Sequence, residues 1–393
     1  MVTNMLVDEV ERELKEHIVP FWLGMQDEKY GGFYGMLDID LNLDTKAVKG
    51  CILNSRILWF FSNVYMMYGD SKCLDAAKCA YDFFKKYMWD EENGGIYWSV
   101  TYDGKPFDTT KHTYNQAFAV YALSSYYDAT KQREALEYAY RLVEVIEHKC
   151  SDANGYLEAF DIAFKPAGND KLSENGVEAG RTMNTLLHVF EAYTELYRVD
   201  KKPDIADRLR YMLDIFKDKM YNPALKRQEV FFDLDYNTLI DLHSYGHDIE
   251  TAWLLDRGLE VLGDRSYESK MEAVIASLEH NVYNLAFDGS ALYNECEKGI
   301  NDTKRVWWVQ AEAVVGFLNA YTKNPERVEY RDAAEQIWDY IKEYLIDKRE
   351  GSEWYSEVDE EGIPFSRKPI VEPWKCPYHN GRMCIEVIKR SHK

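Results

Sequence analysis

Residues 241–255, DLHSYGHDIETAWLL, carry the densest set of groups able to do chemistry. His243, His247 and Glu250 fall at i, i+4 and i+7, so on a helix they share one face, beside an apolar stripe that begins with Ile249, Trp253 and Leu254. Two imidazoles and a carboxylate aimed at one spot admit three readings: a buried polar network, a metal site such as zinc, or an acid/base site. The elements around them must choose.

Those elements repeat. A helix end recurs as LWFFSNVYMMYGD, AVYALSSYYDATK, HVFEAYTELYRVD, AWLLDRGLEVLGD and AVVGFLNAYTKNP, with a weaker sixth copy, MCIEVIKR, and a spacing of about 60 to 68 residues. That spacing suits a helical hairpin with its loops. Second, amphipathic helices such as CLDAAKCAYDFFKKYM and YRDAAEQIWDYIKEYL follow, with Lys and Glu on one side, as an outer layer requires. Gly-punctuated alternating stretches (GGFYGMLDIDL, GGIYWSVTYDGKP, NGYLEAFDIAFKP) lie between units and predict short extended hairpins. Six such units predict an all-α fold, an (α/α)6 barrel whose hairpin loops crowd one mouth, over residues 1–393 as a single catalytic domain.

In register across the copies, each inner helix starts with polar residues: Asn54 and Arg56; Tyr114, Asn115 and Gln116; Asn184 and His188; His247 and Glu250; Trp308 and Glu312; His379 and Arg382. Parallel inner helices bring equivalent starts together at one end of the barrel axis. Helix capping accounts for an Asn at such a position, but not for two arginines, three histidines and two glutamates. Histidines that titrate near neutrality, with carboxylates to fix their tautomers and Arg to polarise an oxygen, suit proton transfer at a carbon beside a carbonyl. No metal is needed if cationic or hydrogen-bonding groups hold the enediolate oxygens. Trp253, Trp307, Trp308 and Trp374, beside these residues, offer surface for stacking on sugar faces or for packing in the core, and for Trp253 both readings stand equally.

The formal charge of −21 disfavours nucleic acid, anionic membrane or an anionic polymer as partner and favours a neutral ligand. Thirty tyrosines and ten tryptophans fit either sugar stacking or a Tyr-rich core. The longest apolar run, near Ile57–Phe61, is far shorter than the roughly 18 residues a membrane helix needs, and the charged amphipathic start carries no secretion signal. Seven irregularly spaced cysteines (Cys51, Cys73, Cys79, Cys150, Cys296, Cys376 and Cys384) read as reduced thiols. A cytoplasmic monomer is the expectation.

The segments SRILWFFSN, KHTYNQAFAVYALSSYY, RTMNTLLHVFEAYTELY, DLHSYGHDIETAWL, RVWWVQAEAVVGF and WKCPYHNGRM together resemble the N-acylglucosamine 2-epimerase superfamily, nearly end to end. The resemblance implies an (α/α)6 barrel and cofactor-free, metal-independent epimerisation at C2 of the reducing-end glucose in β-1,4-linked disaccharides, converting cellobiose to glucosyl-mannose and lactose to epilactose. It implies acid/base roles for His247 and His379, a third active-site histidine in His188, and contact of Arg56 with the enediolate oxygens. Glu250 and Glu312 correspond to supporting carboxylates, Tyr114 and Asn184 to sugar contacts, and Trp308 and Trp374 to aromatic groups flanking the disaccharide. With Trp253, Trp307 and Arg382, these complete the expected substrate-binding set. Asn54 departs from relatives that carry His there, and no catalytic role is assigned to it. An aldose–ketose isomerase acting on mannose, an N-acylglucosamine 2-epimerase, an inverting glycosidase using Glu250 and Glu312, and a sugar-binding protein without turnover remain open alternatives.

Overall fold

The inner helices of the computed structural model, which describes residues 4–391 apart from 170 and 174, are Cys51–Tyr68, Thr113–Thr130, Met183–Val199, Tyr245–Leu262, Trp307–Lys323 and His379–Ser391. Each packs on the next and the sixth returns to the first, closing the expected (α/α)6 ring. The outer helices begin at Ser71, Arg133, Pro203, Arg265 and Val328. An outer helix is expected downstream of each inner one, and among the described residues five of the six have one there. The N-terminal helical segment Asn4–Gly24 takes the sixth place, packing on the sixth inner helix. Trp354 donates to Glu13 (2.7 Å) and Trp338 to Glu9 (3.0 Å), fixing this segment against the fifth unit.

Local sequence sets these boundaries. Gly69 and Gly263 end the first and fourth inner helices with φ near 70° and 67°, a left-handed cap that favours glycine. Asp70 and Asp264 follow at once and cap the next outer helices by accepting from the amides of Lys72 and Ser266. Two residues therefore reverse the chain. The inner helices are buried on nearly all sides because they are sandwiched between the outer layer and the axis, and so their sequences lack a polar face.

The predicted hairpins reduce to two- or three-residue strands with a regular plan. The strand preceding each of the first five inner helices pairs antiparallel with a strand of the next unit's loop: Lys49–Gly50 with Ser99–Val100, Lys111–His112 with Ala159–Phe160, and so on to Arg305–Val306 with Glu357–Val358. The Leu37–Val371 bridge links the last loop to the first. This belt holds the helix starts at a common level.

Candidate active site

Two residues before their inner helices stand Lys49, Lys111, Arg181 and Arg305, each a buried cation bonded to an acidic residue of the adjoining loop: Asp27 (2.7 Å), Asp90 (2.9 Å), Asp152 (2.6 Å) and Asp288. His243 occupies the same register in the fourth unit. It lies in the strand Leu242–Ser244 rather than on the helix, and its Nε2 bonds Asp248 at 2.8 Å. The expected His243/His247/Glu250 face is therefore not assembled, because the helix begins only at Tyr245. His243 anchors the belt.

The other expected residues gather at the mouth to which the belt belongs. A cavity of about 290 Å³ is lined by Arg56, Tyr114, Asn184, His188, His247 and Glu250 from the first four inner helices. Trp307, Trp308 and His379, from the last two, and Trp374, from the preceding loop, complete that set. Three expected residues do not line it. Glu312, Arg382 and Trp253 are buried behind the wall, and Trp253 uses its indole Nε1 to donate to Glu312 at 2.9 Å. Sugar contact by Trp253 and Arg382 is thus corrected to support of the groups in front of them.

Arg382 is the hub of that support. Its guanidinium bonds Glu191, Glu250 and, at 2.6 Å, Glu312, and its plane lies 4.8 Å from the Trp253 ring centroid. One cation thus faces three carboxylates in a water-poor interior. Burial, then the neighbouring Glu312 charge, lift the Glu250 carboxyl to about 8 against the pull of Arg382. Burial raises the adjacent Glu312 carboxyl as well, so the pair favours holding a proton, and Glu250 Oε2 has no partner among the described residues. Burial would also raise Glu191, but Arg382 and His188 overcome it and bring the group down to about 2. Glu250, Glu312 and His379 place ligand atoms within 4.8 Å of one another, close enough for a metal ion. The guanidinium already bridges both carboxylates there, so a dication would have to displace it against its own positive charge.

All three cavity histidines are anchored through Nδ1: His188 by Glu191 (2.9 Å), His247 by Ser244 Oγ (2.7 Å) and His379 by Glu312 (2.6 Å). Nε2 is left for the cavity in each. Burial lowers all three pKa values, that of His247 to about 3, with the positive charges of Arg56 and Arg382 adding to the effect at His379. They are neutral at pH 7 and able to accept a proton. Trp308 stands between His247 and His379, with ring centroids 4.7 and 5.5 Å away. A Cβ on Gly246 would come within 2.7 Å of that indole, so glycine is needed for Trp308 to lie where it does. Arg56 donates to Tyr114 Oη (2.8 Å) and to the Trp374 carbonyl (3.3 Å), while its buried Nε has no partner among the described residues.

Sequence reasoning missed Glu191, Tyr378 and Ser244, and it missed Lys171, Leu172, Ser173 and Asn175, which line the outer cavity from the long loop before the third inner helix. Glu191 was within reach, since it follows His188 by three positions on one helix face. Nothing in the loop sequence signals which way it folds.

The chain matches the N-acylglucosamine 2-epimerase (GlcNAc 2-epimerase) family over residues 32–380. It is 52% identical to a cellobiose 2-epimerase of Ruminococcus albus over 387 residues, 98% of this chain and 99% of the relative. The crystal structure of a sugar epimerase from a ruminal bacterium superposes with a TM-score of 0.97 at 51% identity, covering 98% of this chain and 99% of that one. A D-mannose isomerase shares the fold alone, at 18% identity and a TM-score of 0.84 over 99% of both chains. With the match extending through every unit of the ring and each wall of the cavity, the chain belongs to the N-acylglucosamine 2-epimerase family.

Proposed function

We propose that this chain is a cellobiose 2-epimerase, inverting C2 of the reducing-end glucose of β-1,4-linked disaccharides, cellobiose and lactose among them. The observation that carries the reading is the pair His247 and His379: two neutral imidazoles from non-adjacent inner helices, either side of Trp308, each anchored at Nδ1. Inversion needs a proton removed from one face of C2 and returned on the other, and two such bases suit that task. After ring opening exposes the C1 aldehyde, one histidine takes the C2 proton to give a cis-enediolate. Arg56 meets the developing oxygen charge. The other histidine relays a proton taken from water to the opposite face, and the first returns the proton it removed to water, so both end neutral as they began. His188, with Tyr114 and Asn184, handles sugar hydroxyls and ring opening, and Trp308 and Trp374 flank the disaccharide.

The whole chain serves as one catalytic barrel, a monomer acting in the cytoplasm without metal or organic cofactor. No helix among the described residues is long and apolar enough to cross a membrane. Incubation with cellobiose, lactose and mannose, with the products resolved chromatographically, tests the assignment. Glucosyl-mannose and epilactose are expected. Ketose alone would point to an aldose–ketose isomerase, and free glucose to a glycosidase.

A further inference from the structure

Glu191 lies outside the cavity, yet three buried groups converge on it. His188 Nδ1 is 2.9 Å from its Oε2, the Tyr378 hydroxyl donates to the same oxygen at 2.6 Å, and Arg382 bonds Oε1. It is 4% exposed and joins the third inner helix to the sixth. We infer that Glu191 is the positioning residue for His188, holding the imidazole in the tautomer with its proton on Nδ1 and a bare Nε2 at the cavity wall.

The deduction runs from the donor inventory. An ionised carboxylate only accepts hydrogen bonds, so the hydrogen between His188 and Glu191 belongs to Nδ1. Arg382 and Tyr378, both donors, keep Glu191 ionised, consistent with its low pKa. Burial keeps the His188 ring neutral, so a proton on Nδ1 leaves Nε2 without one. His188 then meets the sugar as an acceptor. Its ring is further fixed by edge and tilted packing on Tyr114 (4.9 Å) and Phe118 (4.7 Å), so a change of tautomer changes the chemistry it offers without moving the ring.

Glu191→Gln separates charge from shape. The amide keeps the volume, and with its carbonyl facing Arg382 its NH2 takes the position shared by His188 and Tyr378, so the Tyr378 oxygen turns to accept and His188 must accept at Nδ1 and carry its proton on Nε2. Nitrogen NMR of protein labelled in histidine, with the His188 signals assigned by their loss in His188→Gln, reads the tautomer directly. Wild type and Glu191→Asp are expected to show Nδ1–H and Glu191→Gln to show Nε2–H. The activity arm, which rests on the epimerase reading, expects kcat for cellobiose to fall by about 10- to 10²-fold in Glu191→Gln with KM within about threefold, and Glu191→Asp to recover part of the loss. An Nε2–H signal in wild type overturns the inference without any variant, as does Nδ1–H in Glu191→Gln. Absence of turnover in the wild type would count against the epimerase reading instead, leaving the tautomer signals to decide this one.

Discussion

If His247 and His379 divide the faces of C2, removing either should stop inversion while leaving exchange on the face that the other serves. In His379→Asn the Glu312 carboxylate keeps Arg382 and Trp253 as partners, so the folding cost is that of one buried hydrogen bond, about 1–2 kcal/mol. For a chain of 393 residues this lowers Tm by only about 1–2 °C, using roughly 2.1 cal/mol/K of unfolding entropy per residue. The chemical cost is larger. Loss of a general acid or base removes about 10²- to 10⁴-fold in rate, a barrier increase of about 2.7–5.5 kcal/mol. Epimerisation should therefore collapse in a protein that still melts near the wild-type temperature. The remaining histidine can still take and return a proton on its own side, so sugar recovered from D₂O gains deuterium at C2 without inversion. His247→Asn and His379→Asn should label opposite epimers, one glucose-type and one manno-type, as read by proton NMR. Labelling of the same epimer by both variants would refute the division of faces.

His188→Ala should retain solvent exchange at C2 better than either variant above, because His188 acts on hydroxyls; loss of exchange in this variant alone would reverse the assignment. Exhaustive chelation should leave the rate unchanged, and activity lost and then restored by one added metal would sink the metal-free mechanism. Arg382→Met leaves Glu191, Glu250 and Glu312 buried without their shared cation and should cost about 3–5 kcal/mol of stability, seen as a lower urea midpoint. Stability should also fall as pH rises from about 6.5 to about 8, where His188, His247 and His379, whose lowered pKa values cost stability only below about 6.5, no longer offset the raised carboxyls. Glu158, Glu250 and Glu279 are raised from 4.5 to about 8 in the fold, so the folded state binds their protons more tightly and their contribution falls as pH rises across that interval. Glu195, lowered to about 2 despite burial by its contacts with Arg198, acts in the opposite sense, its contribution being lost as pH drops below about 4.5. A Tm that climbs steadily from about pH 6.5 to about pH 8, measured at constant ionic strength, would contradict these shifts.

Much of the architecture was legible because repetition is a property of sequence. Six apolar helix ends at regular spacing, with Gly–Asp turns after two of them, fix the hairpins, and the common register of Arg56, Tyr114, His188, His247, Trp308 and His379 fixes which end of the ring holds the site. The separation of Trp253 from Trp307 and Trp308 was not legible. All are aromatic residues on inner helices, but Trp253 lies on a helix side that turns into the wall, where its indole meets Glu312.

The sequence by itself determined the hairpin, its sixfold repetition and the residue types that converge, since these depend on local helix formation and on apolar periodicity. Only the tertiary structure decided that the N-terminal segment completes the ring, because pairing residues 4–24 with residues 379–391 is a long-range packing event with no local signal. It likewise decided that His243 takes the belt register, bonded to Asp248, while His247, four residues later, reaches the cavity. A helix start between them reverses the expected face. The charges of the site also belong to the fold alone: Glu191 and Glu250 are the same residue type, and their pKa values diverge because burial and the Glu312 charge raise Glu250, whereas Arg382, His188 and Tyr378 converge on Glu191 and outweigh its burial.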